Sequence, residues 1–177
     1  VGGLFATRGV GEIVAALPLC QTAPRLNLAG NFVEPAFEAA VRAAPGWSRV
    51  NELGFLSRTG VRDVLGRSMV GLVTLYPMPA YKDALPVKMF EYMSAGLPVV
   101  ASDFPLWREI VEGNDCGICV DPLDPAAIAA AIDRLIGDPD LAGRMANNGR
   151  RAVEERYNWA IEEKRLHSLY AKLLTEA

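Results

Sequence analysis

Asp83-Ala-Leu-Pro-Val-Lys-Met-Phe-Glu-Tyr-Met-Ser-Ala-Gly-Leu-Pro-Val-Val-Ala-Ser102 reads as a loop, a helix and a buried strand in one run. Pro86 suits a first helical turn, where a missing N–H removes no intrahelical bond. Lys88 to Ala95 continues without a breaker until Gly96, a natural C-terminal cap, so the spacing predicts a helix over roughly Leu85 to Ala95. Pro98-Val-Val-Ala-Ser102 is a short apolar run bounded by turn signals, the pattern of a parallel strand covered on both faces.

Outward from this unit the same alternation continues. Toward the N-terminus, Gly9 to Leu17 has the apolar spacing Val10, Ile13, Val14 and Leu17 of an amphipathic helix stopped by Pro18. Arg25 to Gly30 reads as a strand, Pro35 to Ala44 as a helix, Arg49 to Leu53 as a strand, Thr59 to Arg67 as a helix and Ser68 to Tyr76 as a buried strand. Beyond Ser102, Pro105 to Glu112 reads as a helix and Gly117 to Val120 as a last strand. Asp124-Pro opens a helix with a capping aspartate and Pro at its first position, Asp138-Pro-Asp-Leu restarts a helix through about Glu155, and a final helix follows Asn158. The expected fold is α/β, an open parallel sheet with helices on both faces and a helical C-terminal tail, forming one domain over residues 1–177. Val1-Gly-Gly-Leu reads as the tail of a strand with no starting methionine, which predicts a piece of a longer polypeptide.

Composition narrows the function classes. The chain is 51% hydrophobic and 22% charged, ordinary for a folded domain. Its net charge of −3 and pI near 5.3 offer no general attraction to nucleic acid or an anionic membrane, so any cationic work must be local. No apolar run approaches the roughly 20 residues of a membrane helix. Three cysteines argue against a disulfide framework and suit a reducing compartment, here expected to be the cytoplasm. Cys116-Gly-Ile-Cys119 lies at a strand rather than a helix N-terminus, and the single histidine, His167, is remote, so neither redox nor zinc chemistry is expected there. No metal site is expected.

The residues that suggest chemistry gather at strand ends. Asp83 precedes the predicted helix and Glu91 lies on it; both can line one crevice, since open α/β sheets bind ligands at the carboxyl ends of their strands. Carboxylates there suit a hydroxyl-rich ligand, each charge-assisted hydrogen bond contributing about 1.5–3 kcal/mol. The alternative is that Asp83 caps the helix and Glu91 is a solvated helical acid. Free N–H groups at Leu85 and Val87 would offer a diphosphate donors and a partial positive charge. Lys82 and Lys88 flank that position, and Arg8, in the turn after the first strand, can approach from the next strand end. Gly9-Val-Gly11 lacks the third glycine of a dinucleotide fingerprint, and no phosphate-binding Walker sequence or nucleophile elbow occurs.

These motifs together resemble the C-terminal, donor-binding half of the retaining GT-B glycosyltransferases of family four, the group 1 glycosyltransferases. The carriers are Val1-Gly-Gly-Leu…Arg8-Gly-Val, Gly54, Asp83…Glu91-Tyr-Met-Ser-Ala-Gly-Leu-Pro-Val-Val-Ala-Ser, Arg108-Glu-Ile-Val, Gly117-Ile-Cys-Val-Asp-Pro and Tyr157-Asn-Trp. The resemblance implies a Rossmann-like half of a GT-B fold. Glu91 would bind ribose hydroxyls, and Asp83, where the family has glutamate, would stand beside the transferred sugar with a side chain one methylene shorter. Ala84-Leu-Pro-Val87 replaces the family's glycine-rich segment, its Leu85 and Val87 N–H groups still facing the diphosphate, with Lys88 following in a P-x-K-x-x-E-Y variant. Arg8 would neutralise the leaving diphosphate; Gly3 stands where the family has a second cation, leaving Lys88 or Lys82 to compensate. Phe55, with Leu56, falls where the base is recognised.

The resemblance further implies transfer of a hexosyl unit from a nucleoside diphosphate sugar to an acceptor with retention, in bacterial polysaccharide or glycoconjugate synthesis. It implies no cofactor and no metal, with the acceptor held by an N-terminal domain outside this chain; membrane association, if any, would come through that domain. A nucleotide-sugar epimerase of related fold and a noncatalytic α/β interaction module are the alternatives.

Overall fold

A computed structural model describes residues 2–175. Leu4 forms a single parallel bridge with Phe32, Phe5 is extended, and a short 3-10 turn, Ala6–Arg8, follows. Helix α1 (Val10–Ala16) buries Val10, Ile13, Val14 and Ala16 and tightens into a 3-10 turn at Leu17–Leu19, where Pro18 stops it. Strand β1 (Leu26–Ala29), helix α2 (Pro35–Ala43), strand β2 (Val50–Gly54), helix α3 (Arg58–Leu65) and strand β3 (Gly71–Val73) complete the first part. A four-residue helix, α4 (Pro79–Lys82), precedes α5 (Val87–Ser94) and strand β4 (Val99–Ser102). Then come α6 (Pro105–Val111), β5 (Gly117–Val120), α7 (Pro125–Gly137), α8 (Pro139–Glu155) and α9 (Trp159–Thr175). Asp124 caps its helix as expected, accepting from the Ala126 N–H, and Asp138 caps the next, accepting from that of Leu141.

The strands are parallel and the helices lie on both faces, the α/β class expected. All of β4 is buried, and its residues alternate between two cores. Val99 and Ala101 join Met89, Tyr92 and Met93 of α5 and Trp107, Ile110 and Val111 of α6. Val100 joins Ile128, Ile132 and Leu135 of α7 on the opposite face. A third core unites Leu4, Val10, Val14, Leu28 and Val41.

One feature departs from a single open sheet: β1 pairs with β2, and β3 pairs with β4 and β4 with β5, as two separate sheets. The N-terminal segment spans the division at its upper end. Gly2 N–H donates to Ala29 O and Leu4 N–H to Asn31 O, both at 3.0 Å, while Tyr76 N–H donates to Thr7 O at 3.0 Å. The spatial order is therefore β2, β1, the N-terminal segment, β3, β4, β5. The connection order reverses beside that segment, the topological switch point at which such sheets bind ligands.

Strand β3 is shorter than the expected Ser68 to Tyr76. Regular pairing continues only where β4 lies alongside; after Val73 the chain is held by single contacts, including Ser102 Oγ–H to Leu75 O at 2.6 Å.

Candidate functional site

The switch point is built by a close approach. Gly9 has φ 70°, and a Cβ there would stand 1.9 Å from Thr74 O, so only glycine lets the turn after Arg8 rest against the end of β3. This brings Arg8 and Lys88, 80 residues apart in sequence, into one crevice. The Arg8 guanidinium carbon lies 5.9 Å from the centroid of the Tyr81 ring, and the Tyr81 hydroxyl is 3.3 Å from Thr7 Oγ1. Arg8 Nε is buried without a hydrogen-bond partner. Neither Arg8 nor Lys88 forms an ion pair among the described residues. Burial, reinforced by the positive charge of Arg8 and opposed by Glu91, holds the Lys88 ammonium down at about 8 from an ordinary 10.5. Two half-buried cations lining one crevice are an arrangement that an anion would relieve.

The helix after the loop differs from expectation in its first turn. It begins at Val87 rather than Leu85, with Pro86 as the extended N-cap residue whose carbonyl accepts from Met89 N–H at 3.0 Å. Pro86 can sit there because an N-cap needs no helical φ/ψ and no N–H. The backbone donors at the helix start are thus Val87 and Lys88, and Leu85 belongs to the loop. Gly96 closes the helix as expected, with φ 73° and the paired bonds Gly96 N–H to Met93 O and Leu97 N–H to Tyr92 O.

Asp83 does not cap this helix: it follows the unpredicted α4 as its C-terminal cap residue, and no side chain caps α5. Its carboxylate is exposed, as is Lys82. Ala84 is anchored instead, its carbonyl accepting from Trp107 Nε1–H at 2.7 Å. Trp107 is fully buried in α6, so this bond ties the Asp83 to Pro86 loop to the core. Leu85 and Val87 are 52% and 71% exposed. Glu91 is exposed one turn after Lys88, on the same side of α5. Phe55 is 82% exposed beyond β2, and Gly3 is exposed beside Leu4.

Sequence reasoning did not single out Tyr81, Trp107, Thr74 or Glu12. Tyr76 O–H donates to Glu12 Oε1 at 2.5 Å, and burial with this acid pushes the phenol up to about 12. Glu12 Oε2 and Thr74 Oγ1 are buried without partners near the same turn. Pro79 alone signalled a helix start at α4. Burial pushes Cys20 up to about 11 and Cys116 and Cys119 up to about 12, away from thiolate.

Residues 1–152 match the family model described as glycosyl transferases group 1. The chain is 28% identical to alpha-D-kanosaminyltransferase of Streptomyces kanamyceticus, covering 98% of this chain and 45% of that protein. It is likewise 28% identical to alpha-maltose-1-phosphate synthase of Mycolicibacterium smegmatis, over 98% and 47%. Among solved structures, sucrose-phosphate synthase from Thermosynechococcus elongatus superposes with a TM-score of 0.84 at 24% identity, covering 99% of this chain and 45% of that one. Anabaena Alr3699/HepE in complex with UDP superposes with a TM-score of 0.83 at 19% identity, covering 97% and 48%. The chain thus spans about half the length of the curated relatives it matches. A motif set centred on Glu91, a parallel sheet with helices on both faces and a family match over residues 1–152 agree: this chain belongs to the group 1 glycosyl transferases.

Proposed function

We propose that the crevice between the Arg8 turn and the start of α5 holds the diphosphate of a nucleoside diphosphate sugar. The observation that carries this reading is the pairing of Arg8 and Lys88, two cations facing one crevice with no carboxylate paired to either. Lys88 takes the place of the cation missing at Gly3, and the N–H groups of Val87 and Lys88 supply donors at the same point. Glu91, one turn further on, accepts from ribose hydroxyls; Asp83 and the Ala84 to Pro86 loop face the sugar; Phe55 covers the base. That a protein of similar fold was solved in complex with UDP supports a nucleotide ligand.

In the whole enzyme a hexosyl unit passes from this donor to an acceptor hydroxyl with retention, the acceptor being held by an N-terminal domain. Chemically, the C–O bond to the diphosphate breaks as the acceptor oxygen bonds to the anomeric carbon, and the acceptor proton leaves toward the departing diphosphate. Arg8 and Lys88 stabilise the charge that accumulates on that leaving group, by electrostatics alone and with no cofactor.

Calorimetric titration of this chain with UDP, GDP and ADP tests the reading. Binding of one of them, weakened about tenfold or more in Glu91→Ala by loss of a charge-assisted hydrogen bond, is expected. An absence of binding across the panel favours the noncatalytic module; unchanged affinity in Glu91→Ala removes the ribose assignment.

A further inference from the structure

Tyr81 stands two residues before Asp83, on α4, where neither charge nor apolar periodicity marks it in the sequence. Its backbone is bonded on both sides: its N–H donates to Met78 O at 2.9 Å, and its carbonyl accepts from Ala84 N–H at 3.3 Å. The half-buried ring packs against the core that holds Met89, Phe104 and Trp107. From there it meets the Arg8 turn twice. Its hydroxyl lies 3.3 Å from Thr7 Oγ1, and the Arg8 guanidinium carbon lies over the ring, 5.9 Å from the centroid.

That contact is an unusual support for a half-buried arginine. Among the described residues Arg8 forms no ion pair, and its Nε is buried without an acceptor. An arginine held by a carboxylate is neutralised, and an incoming anion must displace that acid. An aromatic face within about 6 Å attracts the cation through its quadrupole, without neutralising it and without committing an N–H to an oxygen. It also restrains a side chain rich in rotamers, so less freedom is lost when an anion binds. The turn itself is fixed by other means: Tyr76 N–H donates to Thr7 O at 3.0 Å, and Gly9 closes on Thr74. Those contacts place the Arg8 backbone, whereas the Tyr81 ring meets its charged end.

We infer that Tyr81 is a positioning residue, its ring holding the Arg8 guanidinium beside Lys88 for the diphosphate and its hydroxyl keeping the ring in step with the Arg8 turn. The inference rests on the diphosphate reading of the crevice. It also ties the support under Arg8 to the loop after α4: Ala84 N–H donates to Tyr81 O while Ala84 O accepts from Trp107, so the two form one hydrogen-bonded unit.

A double-mutant cycle between positions 8 and 81 tests it. One readout is the titration of Lys88 in the free chain, followed by carbon-13 NMR at Cε; the charges that act on that group are Arg8 and Glu91. The other is calorimetric affinity for the tightest binder among UDP, GDP and ADP. Tyr81→Leu is expected to weaken that binding about fivefold, and to move the Lys88 titration above its starting value of about 8 because Arg8 is free to swing away. Tyr81→Phe keeps the ring and should stay within about twofold of wild type. In an Arg8→Ala background Tyr81→Leu should change neither readout, since the ring acts through Arg8. Equal effects of Tyr81→Leu with and without Arg8 overturn the inference. If Tyr81→Leu does not melt cooperatively, phenylalanine and trifluorophenylalanine are compared at position 81. Fluorination withdraws charge from the ring face at nearly constant shape, so weaker binding with the fluorinated ring is expected and equal binding is the contrary result. A wild-type chain that binds none of the three nucleotides overturns the diphosphate reading and this inference with it. Wild-type binding that Tyr81→Leu leaves unchanged overturns the inference alone.

Discussion

Lys88 sits between opposing influences: burial and Arg8 lower its proton affinity, and Glu91 raises it. Because its folded value of about 8 lies below the ordinary 10.5, the unfolded chain binds one more proton between those two values. Stability therefore rises with pH through that window, while below pH 8 the full cost of the charged group is present. That cost is roughly 3 kcal/mol, so Lys88→Met should be more stable than wild type at pH 7, with the difference shrinking by pH 10.5 in thermal melts. The opposite holds for ligand. Diphosphate affinity should fall as pH rises through 8, and binding near pH 8.5 should take up a proton, detected by calorimetry in buffers of different ionisation heat. Arg8→Ala should weaken the same binding at least tenfold while raising the Lys88 value, visible as a shift of the pH profile to higher pH. Of these residues, Arg8, Lys88 and Glu91 could be picked out from sequence by type and position. That Arg8 lowers the proton affinity of Lys88 could not, since it follows from a proximity across 80 positions of chain.

The element that leads into Lys88 is the loop between α4 and α5. Its conformation is set by a helix distant in sequence: the Trp107 indole of α6 donates to Ala84 O. Trp107→Phe keeps an aromatic ring but leaves that carbonyl without its donor, and should cost about 1–2 kcal/mol with faster amide exchange over Asp83 to Val87. Gly9→Ala is expected to be more severe, above about 2 kcal/mol in urea unfolding, because the added Cβ meets Thr74 O at 1.9 Å and φ is 70°. The helix and strand around Glu91 were legible from Pro86, Gly96 and Pro98, whose effects are local. The first turn was misplaced by two residues because Pro is acceptable both as a cap and inside a first turn, and only the tertiary pull of Trp107 on Ala84 separates the two. Helix α4 was passed over for a related reason: four residues starting at Pro79 carry too short a pattern to show periodicity.

At the scale of the molecule, the cores surround β4, and α9 stands apart from them. Its Leu166, Leu169, Tyr170, Leu173 and Leu174 are exposed, and no helix of the described residues is long and apolar enough to cross a membrane. A chain ending at Asn158, which retains the Phe90 to Tyr157 ring contact at 5.2 Å, should therefore melt within about 2 °C of the full chain. The amino-acid sequence alone determined the α/β class, the order of the strands and of every helix but α4, the caps at Gly96 and Asp124, and the family motif around Glu91. Each of these is written in patterns a few residues long: apolar periodicity, a capping aspartate, a proline or glycine at a turn. Only the tertiary structure decided that the described strands pair as two sheets and that Asp83 caps nothing on α5. It also decided that Lys88 rather than Lys82 shares the crevice with Arg8. Those outcomes depend on which strand edges meet and which charges lose their water, and both are set by contacts between residues far apart in the chain.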